Sequence, residues 1–167
     1  MRTCHHINLA LAFLFLSIQV FAQQIPDVAK INFIKTQFAE INQNLKSYKK
    51  IEKTDTIQTT EGNEVLLYYK GNKIKKIAAT YYGEAGKETD EFYFSNHNLI
   101  FCEYVDYRYN MPVSEKNGGK IASTTDERVY LDNGKIILVK KKPAASYFFN
   151  SFPKDPQKEA KRLISLK

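Results

Sequence analysis

From Thr54 to Lys141 the chain alternates between short runs rich in β-branched and aromatic residues and tight Asn- or Gly-bearing turns. This punctuation limits the fold more than any other feature. Seven runs read as strands: Thr54–Thr60, Glu64–Lys70, Lys73–Tyr82, Glu88–Ser95, Leu99–Tyr109, Ser123–Leu131 and Lys135–Lys141. Most are joined by short connections such as Gly71-Asn72, Asn96-His97-Asn98 and Asn133-Gly134. Asn and Gly supply the positive φ angles that two-residue hairpins require. Successive hairpins predict an antiparallel meander, because parallel neighbours would need crossovers of a dozen residues or more. Only residues 110–122 form a long connection. Three hairpins share one grammar, at Tyr69–Ile74, Phe94–Leu99 and Leu131–Ile136: a large apolar residue, a polar turn, then Ile or Leu. Their unequal spacing excludes a fixed-period solenoid.

Before the runs, Asp27 to Tyr48 carries apolar residues at Val28, Ile31, Ile34, Phe38, Ile41, Leu45 and Tyr48. Gaps of three or four predict one amphipathic helix, opened by Pro26-Asp27. After the runs, Pro143 to Pro153 reads as a loop that packs Tyr147, Phe148, Phe149 and Phe152. Pro156 to Leu166 follows as a short helix with Ala160, Leu163 and Leu166 on one edge. The expected class is α+β: a helix packed on an antiparallel meander of about seven strands, with a short C-terminal helix. Adjacent aromatic pairs such as Tyr68-Tyr69 and Phe92-Tyr93 put aromatic residues on both faces of that sheet. One face takes the N-terminal helix; the other needs a second cover, strong curvature towards a barrel, or a partner.

The first residues are of another kind. Met1 to Ile7 is polar with one charge, Arg2; Leu9 to Phe21 is nearly all apolar; Val20-Phe21-Ala22 precedes Gln23. This is the layout of a secretory signal over residues 1–22, leaving 23–167 as one domain in the periplasm or outside the cell. Its apolar core, about 13 residues, falls short of the ~20 that span a bilayer, so no transmembrane helix is expected after cleavage. Cys4 precedes the core and leaves with the signal. Of the chain's two cysteines only Cys102 then remains, too few for an internal disulfide. Within its aromatic strand it reads as a small buried hydrophobe.

Tyr81-Tyr82-Gly83-Glu84-Ala85-Gly86-Lys87, then Glu91-Phe92-Tyr93-Phe94 and Leu99-Ile100-Phe101, resemble a set of small secreted bacterial proteins of uncharacterised function. The helix ending Ile41–Lys50 is similar as well, and the likeness covers most of Phe33–Leu138. The resemblance implies an export signal, a helix and a hairpin sheet, and brings no catalytic residue with it.

The chemistry is mostly defined by exclusion. One histidine and one cysteine outside the leader cannot make a Cys/His zinc site, and no His-Glu-x-x-His or Gly-x-Ser-x-Gly occurs. No metal and no cofactor is expected. Asn117-Gly118-Gly119-Lys120 lacks phosphate-loop spacing. His97 lies at a hairpin tip, as a turn residue does. Glu103 is the one catalytic candidate: it shares a strand face with Leu99, Phe101, Val105, Tyr107 and Tyr109. Glu88, Asp90 or Glu91 could pair with it for glycoside hydrolysis. The alternative for Glu103 is an ion pair or a solvent-facing position.

Binding candidates come from the tyrosines, whose polar tips suit a half-wet surface, and from the excess of 25 basic over 18 acidic residues. They are Lys73, Lys75, Lys76, Tyr81, Tyr104, Tyr107 and Tyr109. For an exported chain, an anionic envelope component is a better partner than nucleic acid. The reading is therefore a non-catalytic binding module. Its rivals are a carrier of an apolar small molecule, a hydrolase using Glu103, and an inhibitor presenting the 110–122 loop.

Overall fold

In the computed structural model the first helix, α1, spans Val28–Gln43, and Asp27 caps it by accepting the Ala29 amide at 3.0 Å. The structure describes residues 27–57, 59–141 and 155–167. The leader and the aromatic loop at Pro143–Pro153 lie outside the described residues. α1 stops sooner than its apolar spacing implies. Asn44 closes it, a single 3-10 turn covers Leu45–Ser47, and Tyr48 is already extended.

The strands are β1 Lys49–Lys53, β2 Asn63–Lys70, β3 Lys73–Gly83, β4 Gly86–Ser95, β5 Asn98–Tyr109, β6 Ile121–Asp132 and β7 Lys135–Lys141. They pair antiparallel in sequence order in one seven-stranded sheet. Its edges are β1 and β7, so it does not close into a barrel. Helix α2, Pro156–Ser165, follows, capped by Asp155. No described helix is long and apolar enough to cross a membrane.

The first strand is a correction. Thr54–Thr60 was expected there, and Lys49–Lys53 takes the place instead, paired with Val65–Tyr69. Residues 54–57 are held in turns by side chains. Asn63 Oδ1 accepts the Asp55 amide at 2.7 Å, and its Nδ2 donates to the Ile57 carbonyl at 2.9 Å. The lysines of β1 sit on an edge, where charge discourages pairing with other chains.

The three hairpins of common grammar have a common structure. Each turn holds two residues, Gly71-Asn72, Asn96-His97 or Asn133-Gly134, and all three lie at the same end of the sheet. Asn96, His97, Asn133 and Gly134 all have positive φ, as the turn geometry demands. Each hairpin then shifts register close to its turn, at Tyr68/Tyr69, Tyr93/Phe94 and Tyr130/Leu131. These bulges lie in line across the sheet. A bulge bends and twists its strand, so their alignment bends the sheet along one line.

α1 crosses one face near that line. Ile31, Ile34 and Ile41 bury against Tyr93, Ile100, Phe101 and Tyr130. α2 is the second cover: Ala160 and Leu163 join Leu67, Ile77, Phe92, Cys102, Val129 and Leu131 on the opposite face. Ile41 and Leu163 are fully buried, each contributing roughly 1.5–3 kcal/mol by removing its side chain from water. Polar contacts fix α2 in place. Arg162 grips Asp55 with two hydrogen bonds of 2.7 and 2.6 Å, and the Lys53 ammonium caps the carbonyls of Ile164 and Leu166.

Candidate functional site

Strand alternation puts Tyr93, Glu91, Thr89 and Lys87 of β4 on the α1 face, in that order away from the helix. Their partners on β5 are Phe101, Glu103, Val105 and Tyr107. Glu91 therefore lies directly opposite Glu103, a pairing that costs stability unless both charges are balanced. Both are. Lys76 reaches Glu91 at 2.8 Å, and Arg128 Nε reaches Glu103 at 2.7 Å with Asp126 at 3.3 Å. The Tyr93 hydroxyl also donates to Glu91.

Glycoside hydrolysis needs one carboxyl that carries a proton and one that does not. Here both carboxylates accept charge-assisted hydrogen bonds from cations, which is how a structural ion-pair network is built. For Arg128, partial burial works against its charge, but the Glu103 hydrogen bond and the nearby Glu103 and Asp126 charges outweigh it and hold its pKa above the ordinary value. Lys76 was expected at the surface and is 5 % exposed. It bonds Asn42 at 3.1 Å and lies 4.8 Å from the centre of the Tyr93 ring, so it links α1 to the sheet.

Beside this network, between α1 and strands β5 and β6, lies a cleft of about 190 Å³. Ile34, Phe38, Phe101 and Tyr130 form its apolar wall; Lys35, Glu103 and Arg128 supply its polar groups. A second cleft, about 340 Å³, lies between α2 and the turns, with His97 at its edge. His97 itself is exposed, at φ 68° in its turn.

Farther out, Tyr82, Lys87, Tyr107 and Thr124 form one row across β3 to β6. The Lys87 ammonium sits 5.0 Å from the Tyr107 ring centre, a cation–π contact. Tyr109 stands two residues farther along β5; burial foremost, then the nearby Tyr82 phenol, raises its pKa. All three tyrosines and Lys87 are half-exposed. The row lies six residues along β4 from Tyr93, about 20 Å from the ground that α1 covers.

The expected binding set thus separates into parts. Tyr107 and Tyr109 belong to this row. Tyr81 and Tyr104, one strand position out of phase, point to the other face and are buried. Tyr81 donates to Asp55 at 2.9 Å, and Tyr104 packs edge-on to Phe92. Lys73 is exposed and Lys75 half-exposed, both near the turn end, at the opposite end of the sheet from the tyrosine row. Sequence reading passed over Tyr82, Lys87 and Arg128. The tight Gly83–Gly86 connection was the available signal for the first two, since it sets Tyr82 opposite Lys87. Gly86 is required there: a Cβ would collide with the Tyr107 carbonyl.

The 110–122 connection is held rather than loose. The Val113 amide donates to the Glu84 carbonyl at 2.9 Å, and the Ser114 hydroxyl to the Glu84 carboxylate at 2.8 Å. Met111 and Val113 are left exposed at its tip.

The α2 face carries buried acids of another character. Asp90 is 3 % exposed and its Oδ1 has no hydrogen-bond partner among the described residues. Burial foremost, then the Glu88 charge, pushes its carboxyl well above the usual range, and Glu88 is raised by burial as well. Burial also raises the Cys102 thiol. Asp55 moves the other way. Burial disfavours its charge, but the Arg162 fork, the Tyr81 hydroxyl and the Ile57 amide outweigh burial and hold it below the carboxylate range. Among the described residues, no group of three or more His, Cys, Asp or Glu is placed to hold a metal ion.

No family model, curated protein or solved structure matches the chain.

Proposed function

We propose that the chain is an exported, non-catalytic binding module that holds an anionic component of the envelope against the open end of its α1 face. One observation carries the reading: Tyr82, Lys87 and Tyr107 stand in a single half-exposed row with Tyr109 beside them, well beyond the helix. Tyrosine rings offer broad amphipathic contact at low entropic cost, and Lys87 adds a cation. The leader pattern and the resemblance to secreted proteins support export. Neutralisation of Glu103 and Glu91 by Arg128 and Lys76 speaks against the hydrolase. An open sheet gives an apolar cargo no barrel interior, and clefts of 190 and 340 Å³ fall at or below the small end of the ~300–1,000 Å³ typical of ligand pockets.

The test is cosedimentation of the chain with isolated anionic envelope material over a salt series. Binding should weaken steeply with salt, because exposed charges are screened beyond ~8 Å at physiological ionic strength. The Lys87→Gln, Tyr107→Ala double variant should bind at least tenfold more weakly. Salt-independent binding, or an unchanged affinity in the folded double variant, would count against the proposal.

A further inference from the structure

The cleft between α1 and the sheet combines features that the surface reading leaves unused. Its wall is aromatic and aliphatic: Ile34, Phe38, Phe101 and Tyr130. The rings are set edge to face, with Phe101 5.3 Å from Phe38 and 4.9 Å from Tyr130. At its polar end Arg128 spends only Nε on Glu103 and Asp126. Among the described residues, the two terminal NH2 groups of that half-exposed guanidinium have no hydrogen-bond acceptor. Glu103 therefore anchors the guanidinium and leaves its outer fork open.

Two further cations flank it. Lys35 lines the cleft from α1, and the exposed Lys140 is the cross-strand partner of Arg128 on β7. A guanidinium fork matches a carboxylate in a planar, bidentate way that an ammonium does not. At about 190 Å³ the space is too small for a drug-sized ligand.

We propose that this cleft is a binding site for a small aromatic carboxylate, the carboxylate on the outer fork of Arg128 and the ring against Phe38, Phe101 and Tyr130. The site does not depend on the tyrosine row, and either can fail without the other.

Benzoate and indole-3-acetate serve as probes, with benzamide as the neutral counterpart and acetate as the anion without a ring. Titration of the isotopically labelled full chain, followed by NMR, should shift the Phe38, Phe101 and Tyr130 ring signals with both aromatic carboxylates. Benzamide and acetate should bind at least tenfold more weakly. Arg128→Lys keeps the charge and the Glu103 pair but loses the fork, and should weaken benzoate tenfold or more. Should that variant unfold, Lys35→Gln, at an exposed helix position, should still weaken benzoate several-fold. The proposal is overturned if benzamide matches benzoate, if the shifts fall elsewhere on the protein, or if folded Arg128→Lys binds benzoate as the parent does.

Discussion

Arg162 is the residue through which α2 is fastened, and Arg162→Met removes its grip on Asp55 together with its more exposed pair to Glu159 within the helix. The Asp55 carboxylate is entirely enclosed, whereas the Arg162 side chain is 32 % exposed. Removing one partner of a buried pair costs roughly 3–5 kcal/mol, because the other charge stays behind. The partial exposure of Arg162 places the expected loss at the lower edge, about 3 kcal/mol. Asp55 would keep only the Tyr81 hydroxyl and the Ile57 amide. With a urea slope of ~1–3 kcal/mol/M, the midpoint should fall by on the order of 1–3 M.

The same pair fixes a pH window. The folded Asp55 carboxyl lies below its unfolded value, so its contribution is present above the unfolded pKa of ~3.9 and is lost as pH falls through the folded value. Urea melts of parent and variant at pH 7 should therefore differ clearly, and the gap should narrow as the pH is taken below about 3. Adding Asp55→Asn to Arg162→Met should cost little more, since the stranded charge is gone. A loss under 1 kcal/mol at pH 7, or a gap that widens in acid, would refute the reasoning.

Other expectations follow from the same packing. Ile41→Ala, at a fully buried position of α1, should cost about 2–5 kcal/mol in denaturant melts. Ile34→Asp should cost at least as much and should expose the aromatic sheet to aggregation, seen by light scattering. Asp90 titrates above its unfolded value beside Glu88, with Asp106, Tyr104, Glu159 and Arg162 around it. The native state then holds an extra proton, and stability falls as pH rises from about 4 through the raised folded value. Asp90→Asn should stabilise the fold at pH 8 and change little at pH 4; superimposable pH profiles would contradict this. Cys102, fully buried with its thiol pushed up, should resist a thiol reagent until the protein unfolds.

The meander was legible because Asn and Gly mark its turns, and the repeated grammar of Tyr69, Phe94 and Leu131 marked three equivalent hairpins. Their bulges were not legible. The extra residues Lys75, Ile100 and Ile137 look like ordinary strand positions, yet each reverses which face the next side chains meet. The first strand was misplaced because lysines on an edge look like a helix end, and threonines in a side-chain-bonded turn look like a strand. Tyr81 and Tyr104 differ from Tyr82 and Tyr107 only in phase, and phase follows from register. Lys76 reads as solvated until its partners Glu91 and Tyr93 of β4 and Asn42 of α1 are brought around it.

The binding account is tested most directly by hydrogen exchange on the chain with and without saturating anionic envelope material. The account predicts new protection confined to residues 80–89 and 105–109, around Tyr82, Lys87, Tyr107 and Tyr109. Protection at the turn end near Lys73 and Lys75 instead, or none in that segment while envelope glycan is consumed, would contradict it.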